Sequence, residues 1–321
     1  MSTVTAVVSI FNGSRFIEDS IEYLRQQEYA GTEILFVVDS KTTDDTLEKI
    51  ERFGKGLEHR VIVQKDAQGL AGSRNIGLDE AKGKYIWFLD VDDRPYPDFL
   101  SIMVRSIEEN DADVAICNYI RSSEKDIKEH EGRYKVEVLN RDRLIKRLVT
   151  GKVSVTTWSK VFRTDIMRKN DLRFFPGYAE DIGHTYRALA VCNKAVYCSK
   201  PLYVYHQNPW SLSSLLGNKK GYEEIREYRE LIETFDDADL KKRVDRRSAV
   251  MMMRSAVRLD RDAYCEYIKS EEFRSIGKRF LRAPPSLEYI CVRISPKVYY
   301  AGMHFYLRRF YYRELRCYNR I

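Results

Sequence analysis

Tyr85-Ile86-Trp87-Phe88-Leu89-Asp90-Val91-Asp92-Asp93 is an apolar run that ends in an acid cluster. A short run rich in aromatic and branched side chains, free of glycine and proline, reads as a buried strand. Gly83 punctuates the chain just before it, so we place the strand at 84–89. Upstream, 72–81 is helical. Before that come a strand at 60–63, a helix at 42–53, a strand at 33–39, a helix at 17–27 and a strand at 4–11. Ile17, Ile21 and Leu24 show the helical spacing. Downstream come a helix at 97–110 and a strand at 112–118. Such alternation predicts an α/β fold, an open and mostly parallel sheet with helices on both faces. Ligands of such sheets bind outside the carboxyl ends of the strands. Asp39 and the acids from Asp90 to Asp93 fall at those ends.

The chain has 321 residues, 44% apolar and 32% charged, with a net charge of +7. That balance excludes general disorder. The length suggests about two domains of roughly 150 residues each. No run of about 18 apolar residues occurs, so no membrane-spanning helix is expected. No basic region precedes the first apolar run, so no signal peptide is expected. Six cysteines are scattered without a CxxC pair, which suits free thiols in a reducing compartment. We expect a cytoplasmic protein.

Beyond residue 120 the periodicity weakens. Residues 139–149 read as one helix, with further helices near 164–169 and 182–191 and a strand near 195–205. After about 215 the chain reads as helix throughout.

The chemistry starts with an exclusion. No GxGxxG opens the first helix, where the turn reads Asn12-Gly13-Ser14, and no GxxxxGK[ST] occurs. A glycine cradle for phosphate is therefore missing. Carboxylates two apart on an extended segment, as Asp90 and Asp92 are, point to one side. One can hold a hard divalent cation while the other holds a hydroxyl, so the cluster reads as a metal–diphosphate clamp or as a solvated acidic turn. Glu180-Asp181 follows Pro176-Gly177 and opens a helix. A carboxylate there is either a general base or a favourable charge in a first turn. His206 follows a strand and reads as a metal ligand, an acid–base group or a surface histidine.

Five motifs in order resemble family 2 glycosyltransferases of the GT-A fold, in their bacterial and archaeal polysaccharide branch. Val8-Ser9-Ile10-Phe11-Asn12 resembles (I/V)PVYN, with Ser9 in place of the proline. Phe36-Val37-Val38-Asp39-Ser40 to Asp44 resembles VNDGSTD, with Ser40-Lys41 where glycine is usual. Gly69 to Leu78 resembles GxSxARNxGL, and Tyr85 to Asp93 resembles YIxFLDxDD. Trp158-Ser159-Lys160-Val161-Phe162-Arg163, Glu180-Asp181 and Tyr205-His206 resemble WxKLYR, ED and Y(R/H).

The resemblance covers about residues 1–213 and implies roles. Asn12 and Asp39 would line the nucleotide base pocket, with Arg74 near the base or diphosphate. Asp90 would contact the ribose or a metal-bound water. Asp92 would bind Mn²⁺ or Mg²⁺, with His206 as a further metal or phosphate contact. Asp181 would be the catalytic base. Trp158, Lys160, Glu180 and Asp93 would lie on the acceptor side. The implied reaction is metal-dependent, inverting transfer of a sugar from a nucleotide sugar, with uridine the preferred base, to a glycan or lipid-linked hydroxyl. The implied GT-A catalytic domain spans 1–215, with a nucleotide-sugar half at about 1–120 and an acceptor half at about 121–215. A helical region at 216–321 follows.

That region has its own signature. Residues 287–321 carry a net charge of +5 and nine aromatic residues. Ser295-Pro296 reads as an N-cap followed by proline at the first helical position. Helical spacing from there puts Arg309, Arg313, Arg316 and Arg320 opposite Tyr300, Leu307, Tyr311 and Tyr318. Such a helix either lies on anionic lipid at the inner face of the cell membrane or packs its aromatic face on protein. Contact through 296–321 would suit a lipid-linked acceptor.

Two other functions compete. A sugar-1-phosphate nucleotidyltransferase also places acids at a strand end, but opens with a glycine-rich basic turn that Asn12-Gly13-Ser14-Arg15 matches poorly. A non-catalytic basic module would bind membrane or nucleic acid through the tail. The ordered acids argue against it, and no nucleic acid partner is expected.

Overall fold

β1 (Val4–Ile10) is buried along its whole length, which is why it is apolar at nearly every position rather than alternating. β2 (Thr32–Val38) lies parallel on one side of it and β4 (Tyr85–Asp90) parallel on the other. β3 (His59–Val63) extends the parallel set beyond β2. The full sheet has nine strands in the order β3-β2-β1-β4-β8-β6-β9-β5, with β7 also on β9. The computed structural model describes residues 3–122, 134–177, 180–207, 218–257, 259–280 and 295–306. It divides into two compact units, Met1–Pro176 with Glu180–Gln207, and Gly177–Ala179 with Asn208–Ile321.

In the first unit, β8 (Lys160–Arg163) runs antiparallel between β4 and β6 (Val114–Ser122). β9 (Lys194–His206) runs parallel to β6. β5 (Arg94–Pro95) and β7 (Val136–Asn140) pair antiparallel with β9. The helices are α1 (Ile17–Arg25), α2 (Thr46–Phe53), α3 (Gly69–Glu80), α4 (Phe99–Asn110), α5 (Arg141–Val149), α6 (Thr164–Lys169) and α7 (Glu180–Val191). α3 packs on β1 and β2, and α4 on β6 and β9. The architecture is the expected α/β sheet.

The differences from expectation are local. α2 starts at Thr46 rather than 42, because Asp44 turns the chain and its Oδ1 accepts the Thr46 N–H at 3.2 Å. β7 and α5 share the segment read as one helix. Asn140 ends the strand and caps the helix, its Oδ1 accepting the Arg143 N–H at 3.0 Å. β6 runs on to Ser122 because β9 pairs with it beyond a bulge near Asn118.

The second unit is helical throughout its described residues: α8 (Asn218–Glu233), α9 (Ala238–Ala256), α10 (Arg261–Tyr267), α11 (Glu271–Phe280) and α12 (Pro296–Tyr306). Asp237 and Asp260 cap α9 and α10 through their side chains. The aromatic face of the C-terminal helix was read as turned either to lipid or to protein. At Tyr300 it meets protein: the hydroxyl donates to Leu259 O at 3.2 Å, and the ring packs on Tyr264 at 4.4 Å. Leu307, Tyr311, Tyr318 and the four arginines of the opposite face lie outside the described residues. So do Cys291 and Cys317. Cys117, Cys192, Cys198 and Cys265 are free thiols. Among the described residues, no helix is long and apolar enough to cross a membrane.

Candidate active site

The strand order sets the site. β2, β1 and β4 are neighbours and parallel, so their carboxyl ends open on one edge of the sheet. Asp39 follows β2, Asn12 follows β1, and Asp90 ends β4 beside Ser9. Asp39 is held by its own turn: Oδ1 accepts the Lys41 N–H at 2.9 Å, and its N–H donates to Ile10 O at 2.8 Å. Asn12 is exposed in the left-handed region at φ 46°, a conformation asparagine tolerates. Its Oδ1 accepts the Thr43 N–H at 2.9 Å, which ties the end of β1 to the loop after β2.

The next amides are committed elsewhere. Gly13 N–H donates to Thr46 Oγ1 at 3.0 Å, and Ser14 N–H to Asp44 Oδ2 at 2.9 Å. A phosphate at this turn would lose both donors and meet a carboxylate. That counts against a nucleotidyltransferase-type phosphate loop here.

The acid cluster divides by environment. Asp90 is half-buried and accepts from Arg74 Nη2 at 2.8 Å. Asp92 is half-buried on the turn. Asp93 is buried: Tyr203 Oη donates to its Oδ2 at 2.9 Å, and the His206 N–H to its Oδ1 at 2.8 Å. Burial, then the charges of Asp92 and Asp90, push its carboxyl well above the usual range. Asp93 therefore ties the acid turn to the end of β9. The same tie brings His206, itself half-buried, against the acid turn.

Arg74 joins this edge to α7. It is only 2% exposed, and its Nη1 is ion-paired with Glu180 Oε1 while Nη2 holds Asp90. Burial works against its charge, but Asp90, Glu180 and Asp181 outweigh that and keep the guanidinium protonated. A buried arginine between two carboxylates is strongly constrained, since losing either partner strands a charge. Arg74 is thus held inside, between Asp90 and Glu180. Glu180 is buried, which raises its carboxyl against the pull of Arg74. Asp181, the next residue, is half-buried. Burial first and Glu180 second raise it to about 7, against the opposing pull of Arg74.

Lys160 and Trp158 are also inside. Lys160 is fully buried, with Nζ donating to Ser154 O at 2.8 Å and to Thr156 O. Desolvation lowers its pKa to about 7. It pins the 154–159 loop, whose Val155 O accepts from Thr185 Oγ1 of α7 at 2.7 Å. The Trp158 ring stacks on Tyr203 at 4.5 Å and on Tyr205 at 5.5 Å, with Tyr119 edge-on at 4.6 Å. Trp158 itself is core. Tyr119 and Tyr205 are the half-buried members of the stack.

Sequence reasoning missed Tyr119, and also Phe174 and His184 beside Arg74. Tyr205 was visible only as part of the Tyr205-His206 motif.

A divalent cation fits the edge in one way. Among the described residues, no three His, Cys, Asp or Glu side chains group into a ligand cage. Mg²⁺ and Mn²⁺ do not need one when they arrive with phosphate, because one or two carboxylates suffice. Asp92, with His206 against the same turn, supplies such a partial donor set.

Residues 5–170, about half the chain, match the family model described as glycosyl transferase family 2. EpsH of Bacillus subtilis, a glycosyltransferase by designation, is 29% identical over 208 residues, 63% of this chain and 60% of EpsH. The chain thus spans less than two thirds of that relative's length. The fold is similar to Staphylococcus aureus TarS in complex with UDP-GlcNAc, at a TM-score of 0.67 and 19% identity. That likeness covers 94% of this chain and 88% of TarS 1-349. It is also similar to the mannosyltransferase PcManGT of Pyrobaculum calidifontis in complex with GDP-Man and Mn²⁺, at a TM-score of 0.59 and 13% identity. There the coverage is 94% and 86%. At such identities these likenesses speak for the GT-A fold alone. By its sequence match, the chain belongs to glycosyl transferase family 2.

Proposed function

We propose that the chain is a metal-dependent, inverting glycosyltransferase. It moves a sugar from a nucleotide sugar, preferably a UDP-sugar, to a hydroxyl of a glycan or lipid-linked acceptor in cell-surface polysaccharide or glycoconjugate synthesis. One observation carries this reading: a single buried guanidinium, Arg74, links Asp90 at the nucleotide edge to Glu180 at the start of α7, where Asp181 stands. Two half-reactions, release of a diphosphate and deprotonation of a hydroxyl, need these two kinds of carboxylate within one site.

Asn12 and Asp39 line the base pocket in this reading, and Asp90 takes the ribose. Asp92 holds Mn²⁺ or Mg²⁺, with His206 as the further contact. When bound, such a cation supplies Lewis-acid neutralisation of the leaving diphosphate. Asp181 takes the proton as the acceptor oxygen bonds to the anomeric carbon and the bond to the diphosphate breaks. A carboxyl near 7 is well matched to that work, since the best general base titrates close to the operating pH. Glu180, Lys160 and Asp93 serve by position, and Trp158 shapes the acceptor side through the half-buried Tyr205. TarS bound to UDP-GlcNAc supports the uridine preference, and PcManGT with Mn²⁺ supports a divalent ion. The reaction is assigned to the cytoplasm. A peripheral membrane contact through 296–321 rests on the basic sequence alone.

The test is stereochemical. The anomeric proton of the product, followed by NMR from the first turnover, should show inversion. Asp181→Asn should lower kcat by about 10²–10⁴-fold, the usual range for a lost general base. Retention of configuration, or an active Asp181→Asn, would rule the reading out.

A further inference from the structure

Phe174 lies in the loop between α6 and α7, and its ring is buried. Asn75, the chain neighbour of Arg74, clasps its backbone. The Phe174 N–H donates to Asn75 Oδ1 at 2.8 Å, and Asn75 Nδ2 donates to Phe174 O at 2.9 Å. The Phe174 ring stacks on the His184 imidazole with centroids 3.6 Å apart and planes 8° apart. The Arg74 guanidinium carbon lies 5.4 Å from the same ring. Phe88 and Phe162 meet His184 edge-on, each at 6.2 Å.

His184 is unusual in this box. It is fully buried, and among the described residues neither ring nitrogen makes a well-formed hydrogen bond, although the Leu172 backbone lies within reach. An unpaired buried polar group is costly, and phenylalanine would fill the space without that cost. Burial first, then the cations Arg187, Arg74 and Lys160, holds the ring well below the usual histidine range. The imidazole is therefore neutral, and it stacks without adding a second cation beside Arg74. His184 follows Asp181 by three residues and Glu180 by four, so all three lie within one turn on the same side of α7. Among the described residues, Arg74 Nε has no acceptor. The two carboxylates and the aromatic wall are thus the contacts that fix the guanidinium.

We propose that Phe174 and His184 are positioning residues for Asp181: their stacked rings form the wall that holds Arg74 between Asp90 and Glu180, and Arg74 in turn sets the first turn of α7. The proposal rests on the reading of Asp181 as the base. The charged groups around Asp181 are Glu180 on its own helix, Arg74 from α3, Asp90 from the end of β4 and Lys160 from β8. Arg74 is the strongest of those favouring the carboxylate. A guanidinium that drifts away leaves Asp181 holding its proton more tightly, so the acid limb of kcat moves to higher pH.

The experiment is a kcat–pH profile of the full chain at saturating donor and acceptor. The variants are Phe174→Ala, Phe174→Leu, His184→Ala and His184→Phe, with donor KM and thermal transition measured for each. The first three should move the acid limb up by about one pH unit, the low end of what a neighbouring guanidinium does to a carboxylate. Activity below the limb then falls about tenfold. His184→Phe keeps the stack and should leave the limb in place. If the alanine variants fail to fold, Phe174→Leu carries the test, because it keeps the bulk and loses the face. Folded variants whose kcat falls equally at every pH, or not at all, overturn the proposal. So does a His184→Phe limb that moves as the alanine variants' does. A wild type with no acid limb, or an active Asp181→Asn, overturns the reading of the base and this proposal with it.

Discussion

Asp181 is a carboxylate in a place that favours its acid form, and that conflict can be measured as stability. Burial and Glu180 raise its pKa to about 7 in the folded chain, against about 3.9 when unfolded. Between those values the folded chain keeps a proton that the unfolded chain has released. Stability therefore falls as pH rises through that window. Asp181→Asn removes the conflict. Its urea unfolding at pH 8 should show a gain of about 1–2 kcal/mol, a value discounted because the group keeps some solvent contact. At pH 4 the gain should nearly vanish. An equal or lower stability at pH 8 would contradict the environment described for Asp181. The acids themselves were readable in the sequence, because an apolar strand that ends in carboxylates marks the edge of a parallel sheet. Their partners were not. Nothing local marks Asp93 or Arg74 as buried, since each is held by a residue far away in the chain, Tyr203 and Glu180, and Lys160 goes inside only because β8 is a central strand paired with β6.

Among the elements, α3 and β1 make the closest approach that the sequence hints at. A β-carbon on Gly77 would lie 2.2 Å from Val7 Cγ1. Gly77 thus serves helix-on-strand packing, not phosphate binding. Gly77→Ala should cost about 1–3 kcal/mol in urea unfolding, the usual range for overpacking. A neutral Gly77→Ala would mean that α3 sits further from the sheet. β1, β2 and β4 were legible because both of their faces are covered, which leaves continuous apolar runs. β7 was not legible, because Val136 and Val138 are exposed and Leu139 alone is buried, so no alternation points inward. β8 has four residues and begins with a buried lysine, so it could be seen only as part of a motif. Phe174 and His184 gave no signal at all: an aromatic in a loop and a histidine on a helix face become a stacked pair only when the sheet brings them together.

At the scale of the molecule, the first unit carries every residue assigned to the chemistry. The second is a helical unit in which Tyr228, Tyr264, Tyr267 and Tyr299 are buried, while Tyr222 is exposed. Tyr300 packs on Tyr264, so of the two readings of its helix face this position takes the one that meets protein. In the proposed function, the β2-β1-β4 edge binds a nucleotide sugar together with a cation held at Asp92. The measurement that tests it most directly is the thermal stability of the full chain against a panel of nucleotide sugars, with Mn²⁺ or with EDTA, for the wild type and Asp92→Asn. A donor at about 100 times its dissociation constant adds roughly 2.7 kcal/mol, an easily seen shift. A shift is expected with one nucleotide base, dependent on the ion and lost in Asp92→Asn while the variant stays folded. A shift that survives both EDTA and Asp92→Asn, or none with any nucleotide sugar in the presence of Mn²⁺, would contradict it.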